Sequence, residues 1–181
     1  MMRSMDEMVN NDGADHIPSL YAAAIFVYAM LLFPAVMEKS LSCGFDAPIY
    51  WNAGRGDTEY RPDGAPGWVY SDRLLPAVSV WARLRYGWAL FALHSANAIG
   101  LAALVAASLR RRHCQPRLAW ACALGVGYFA SDTISGGNVS AMLAGAAITP
   151  IGAAMVCCVK PWFGLPFLVL HAVARAGGGR V

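Results

Sequence analysis

The sequence predicts an all-α protein, a polytopic transmembrane helical bundle of about five spans with an extracytoplasmic loop and an interfacial helix between the first two. Three observations predict it. Hydrophobic residues make up 57% of the chain and charged residues only 14%, against ~25% charged in soluble domains. Residues 19–37, 88–109 and 138–159 contain no Lys, Arg, Asp or Glu. Each stretch approaches or exceeds the ~20 residues that carry a helix across a hydrocarbon core of ~30 Å. Polar and turn-forming residues collect instead in one long loop, 38–87.

Taken in order, residues 1–18 form a polar tail. Its acidic character (Asp6, Glu7, Asp12 and Asp15 against Arg3) and the lack of a small-x-small cleavage site favour a retained signal anchor over a cleaved signal peptide. Pro18 and Ser19 suit a helix start, and Pro34 suits a kink near the far end of the first span. Residues 44–67 mix Gly, Pro, Asp, Asn and aromatics, as turns do. Residues 74–86 place Leu75, Val78, Trp81, Ala82 and Arg85 at helical spacing, the pattern of a helix lying at a membrane interface. The second span carries His94 and Asn97, polar residues suited to hydrogen bonds between helices. Residues 118–131 and 162–174 are shorter apolar stretches that read as partial or tilted spans, or as buried or re-entrant helices. The transmembrane domain thus covers 19–175, and 176–181 is a tail.

Arg110, Arg111, Arg112 and Arg117 crowd one short connection. Positive charge in short loops marks the cytoplasmic side. This predicts an integral protein of the plasma membrane, with a cytoplasmic amino terminus and loop 38–87 extracytoplasmic. On a count of full spans, Asn138 falls outside, whereas Lys160 falls inside as a topological anchor. A net charge of +3 is too small to indicate nucleic acid as a partner. The five cysteines show no metal or redox spacing. Asp57, Glu59 and Asp63 read as a solvated acidic loop rather than a metal site, and neither a metal nor a cofactor is expected.

Asp46 follows the first span closely, and Tyr50 and Asn52 come after it at helical spacing. A carboxylate beside aromatic and amide groups suits sugar recognition: it accepts a hydroxyl proton while aromatic faces stack on the ring. A turn-forming or capping Asp is the plainer reading of the same residue.

The segment GFDAPIYWNAGRG (44–56), then Tyr60, then GWVYSDRLLP (67–76) resembles the first outer loop of the GT-C superfamily of membrane glycosyltransferases. More narrowly it is similar to glycosyltransferase family 87, the polyprenyl-phosphate-mannose-dependent group. Asn97, GGNVSAMLAG (136–145) and VKPWFGLPFLVL (159–170) resemble later pieces of that family in the same order. Tyr70-Ser71-Asp72 stands where members have Tyr-Pro-Pro, and members are roughly twice as long, so that the chain corresponds to their amino-terminal part. The resemblance implies a polyprenyl-phosphate sugar donor, a glycolipid or glycan acceptor, inversion, and Asp46 as general base. It makes Tyr50, Asn52, Tyr60 and Tyr70 substrate-binding candidates, and Arg73 and Asn138 candidates for the leaving phosphate, with Arg55 and Arg61 as substitutes for Arg73. Two other readings stay open: a non-catalytic truncated scaffold or lipid-binding subunit, and a small transporter component.

Overall fold

A computed structural model describes residues 19–40, 45–61, 64, 66–109 and 137–176. The expected short span at 118–131, the arginines between 110 and 117, and Cys43, Cys114 and Cys122 lie outside the described residues. Among the described residues every regular element is helical. Two helices are long and apolar enough to cross a membrane: α1, Ser19–Lys39, and α4, Tyr86–Leu109. Large apolar side chains stand exposed on α1 (Leu20, Val27, Leu31) and α4 (Trp88, Ile99). An apolar surface of this extent suits a hydrocarbon environment better than water.

Near its far end α1 is disturbed at Leu32, two residues before Pro34, which has no N–H to give and crowds the preceding turn. Leu32 N bonds Ala29 O at 3.1 Å, and His94 of α4 reaches the same carbonyl, Nε2 to O, at 2.7 Å. His94 is 2% exposed. It is a structural tie between the two long helices, as its position within a span suggested.

The loop after α1 contains real helices. α2 spans Asp46–Gly54, a single 3-10 turn spans Asp72–Leu74, and α3 spans Leu75–Ala82, within the segment expected to form an interfacial helix. Pro76 sits in the first turn of α3, where its missing N–H costs nothing. α3 lies directly on α2 because Gly54 has no side chain: a Cβ there would strike Ala82 and the Val78 carbonyl. Trp81 then pins α3 to α4 through Nε1–H to Ala89 O, 2.8 Å.

The greatest departure from expectation lies in residues 138–159, which do not form one span. They form two short helices, α5, Ser140–Ala146, and α6, Pro150–Val159, and the chain reverses between them. Thr149 is the reason. Its hydroxyl accepts the Gly152 N–H at 3.0 Å, capping a new helix whose first residue is Pro150. Gly152 permits the close turn, since a Cβ would run into the Ala146 carbonyl. The final helix, α7, spans Pro161–Ala176, with Pro166 inside it and Gly164 seated against Cys157.

A helix broken away from water must still satisfy its carbonyls. At the tip of the hairpin, His171 of α7 bonds Ala147 O through Nε2 at 3.1 Å. His171 lies ten residues beyond Pro161, so the tip sits roughly 15 Å along α7 from its start. α5 crosses α4 where Gly145 meets Gly100, two small residues that let the backbones touch.

Candidate functional site

The hairpin brings its two ends together, and there it meets the start of α2. Asp46 is the first residue of α2 and is half-buried. Tyr50, one turn later and buried, directs its hydroxyl to Asp46 Oδ2 at 3.4 Å. Tyr50 also shares a hydrogen bond with the Tyr70 hydroxyl at 3.2 Å, and the two rings meet edge-on. Burial, then the Tyr70 hydrogen bond and the Asp46 charge, push the Tyr50 phenol far above its ordinary range. It therefore remains a neutral donor.

Asn138 supplies the second hydrogen bond, Nδ2–H to Asp46 Oδ2 at 2.9 Å. Its amide orientation follows from its surroundings. Oδ1 accepts from Ser140 N at 3.0 Å, from Ser140 Oγ at 2.6 Å and from Lys160 Nζ at 3.2 Å. Three donors converge on one atom, so that atom is the oxygen and the NH2 group must face the carboxylate. Asn138 thus holds the Ser140 N–H at the start of α5 and also belongs to the Asp46 cluster. Asn97 braces this turn from α4, donating to Asn138 O at 2.8 Å and accepting from Met142 N at 2.9 Å. Both ends of the Asn97 amide are spent on α5, a helix-to-helix clamp.

Lys160 corrects an expectation. Assigned by span counting to the inner face, far from Asp46, it instead lies 8% exposed with Nζ on Asn138 Oδ1 and, at 3.4 Å, on Ser140 Oγ. Its ammonium also stands 5.4 Å from the centre of the Tyr70 ring. The reversal at Thr149 returns Lys160 to the end where Asn138 begins. Lys160 and Ser140 join the site through it, and Thr149-Pro150 within an apolar run is the sequence signal for that reversal.

The other candidates divide. Tyr70 stands at the cluster. Asn52 does not, since six residues after Asp46 it projects from another side of α2, and its amide bonds Pro48 O at 2.8 Å. Tyr60 is half-buried in the connection after α2, near the close backbone pass at Gly67, and no contact joins it to Asp46. Arg73 is exposed beside Leu74. Arg55 lies over the Trp51 ring at 4.6 Å, at the opposite end of α2 from Asp46. Arg61 Nη1 reaches Pro66 O at 3.5 Å. Asp57 and Glu59 are exposed, and Asp63 lies outside the described residues. Among the described residues no three His, Cys, Asp or Glu side chains gather as metal ligands do.

Beside the cluster opens a groove of about 330 Å³, walled by Tyr50, Tyr70, Trp81, Leu93, Met142 and Val159. Its walls are almost wholly apolar. Tyr50 and Tyr70 both line the groove, and the Tyr50 hydroxyl links the Tyr70 hydroxyl to Asp46. The arrangement is amphipathic, with a carboxylate, an amide and an ammonium on one side and an apolar groove beside them. No family model, curated protein or solved structure matches the chain.

Proposed function

We propose that the chain is a GT-C-type membrane hexosyltransferase, or the amino-terminal portion of one, acting at the outer face of the membrane. On the resemblance to family 87, it transfers a hexose, mannose in the first instance, from a polyprenyl phosphate to a lipid or glycan acceptor. One observation carries this reading: Asp46 is held through Oδ2 by Asn138 and by Tyr50, and Tyr50 also lines an apolar groove. No described residue engages Oδ1, which is left to face a hydroxyl. In the reaction Asp46 removes the acceptor hydroxyl proton, and the oxygen attacks the anomeric carbon. The bond from that carbon to the phosphate oxygen breaks with its electron pair, and the polyprenyl phosphate departs. Attack opposite the leaving group inverts the anomeric configuration.

The test is transfer from radiolabelled polyprenyl-phosphate hexose in membranes holding the full chain. Asp46→Asn should abolish transfer while insertion persists, and full activity in Asp46→Ala would remove the proposed base. The groove also suits the alternative of a lipid-binding subunit, for which the same assay shows lipid retained without turnover.

A further inference from the structure

We propose that Lys160, at the junction of the polar cluster and the apolar groove, binds the phosphate of a single lipid whose chain lies in that groove. The inference rests on the reading of this region as a lipid-linked substrate site, and it moves the phosphate contact from Arg73 to Lys160.

Lys160 is more than nine-tenths buried, yet among the described residues no carboxylate lies within ion-pair distance of Nζ. Its two hydrogen-bond partners, Asn138 Oδ1 and Ser140 Oγ, are neutral. Taking an ammonium out of water is costly unless a counter-charge repays it. Asp46 makes no direct ion pair with it, because the Asn138 amide stands between the two, accepting from Lys160 and donating to Asp46. The amide keeps cation and carboxylate in one cluster without direct contact. Among the described residues the cation is thus left to an incoming anion, and the carboxylate to a hydroxyl.

Position supports a lipid source for the anion. Nζ lies beside the Tyr70 ring, a wall of the groove, and Val159, the residue before Lys160, is another wall. An anion at Nζ thus has an apolar slot next to it. The 16-residue helix α7 also begins at Pro161, so the positive end of its dipole lies beside the same point. Arg73, exposed outside Leu74, has no such enclosure.

The experiment uses the purified full chain in neutral phosphatidylcholine nanodiscs. Farnesyl monophosphate, farnesol and inorganic phosphate are titrated while tryptophan fluorescence is followed, Trp68 and Trp81 both lining the groove. Farnesyl monophosphate should bind saturably, with farnesol ~10-fold weaker or worse, as expected for one charge-assisted contact. Lys160→Met should weaken the phosphate lipid by ~10-fold or more and leave farnesol unchanged, whereas Lys160→Arg and Arg73→Met should stay within about threefold of wild type. Equal binding of farnesol and its phosphate, unchanged binding in Lys160→Met, or loss in Arg73→Met alone would overturn the assignment. Displacement of the lipid by equimolar inorganic phosphate would overturn its lipid half. Should Lys160→Met not fold, Lys160→Gln takes its place with the same expected loss, and equal wild-type binding of farnesol and its phosphate still overturns the assignment. Sugar-free ligands separate the two proposals. Lys160-dependent binding without sugar transfer defeats the transferase alone, and transfer with Lys160-independent binding defeats this inference alone.

Discussion

Asp46 and Tyr50 meet within one turn of one helix, whereas Asn138, Ser140 and Lys160 meet because the chain turns back on itself. The first pair follows from the four-residue period of α2 and needs only that α2 form. The second group depends on a cap at Thr149, a glycine at 152 and a histidine on a third helix that satisfies the broken backbone. Chemistry divides along the same line. The α2 half offers a carboxylate and a phenol, and the hairpin half offers the amide and an ammonium. A local half is robust to distant changes; an assembled half fails when its supports fail.

The largest test acts on the local half. If Asp46 is the base, Asp46→Asn should lower transfer by ~10²- to 10⁴-fold in the membrane assay, with expression and insertion unchanged. Next comes the joint between the halves. Asn138→Leu removes the hydrogen bond to Asp46 and the shared acceptor of Lys160 and Ser140, so transfer should fall by ~10- to 100-fold as Asp46 and Lys160 lose their common brace. A larger loss from Asn138→Leu than from Asp46→Asn would invert the ranking of the two halves.

The hairpin itself can be broken or verified. In a cysteine-free background, Ser140→Cys with Lys160→Cys should join through a short thiol crosslinker of about 8 Å reach. A continuous helix would hold the pair roughly 30 Å apart and give no product. Thr149→Ala should cost about 1 kcal/mol, read as a lower melting temperature, through loss of the cap.

The smallest expected effect returns to α2. Burial raises the Tyr50 pKa above its ordinary 10.0, so the folded state holds the phenolic proton more firmly than the unfolded chain does. The resulting stability is complete below about pH 10 and is lost as pH rises beyond it. Tyr50→Phe should therefore flatten the alkaline fall in melting temperature and leave the profile below pH 9 unaltered.

Residues near one another in sequence were readable in advance, and Asp46, Tyr50 and the α3 segment illustrate this. Asn52 shows the limit of the same reading, because helical proximity alone does not place two side chains on one face. Lys160 shows another limit. Span counting puts it on the inner side, and an apolar run of spanning length conceals a reversal when its only marks are Thr149 and Pro150.

By itself the sequence determined the helical class, the two long apolar helices, the polar connection between them and the carboxylate Asp46 within it, though not the helix α2 that Asp46 opens, where composition read as turns. Composition and helical period act over a few turns, so they can be read locally. Only the tertiary structure decided that 138–159 doubles back, that Lys160 is buried beside Asn138, and that the amide stands between cation and carboxylate. Those facts depend on which backbone groups find partners across distant helices, as His171 does for Ala147 and Asn97 for the start of α5.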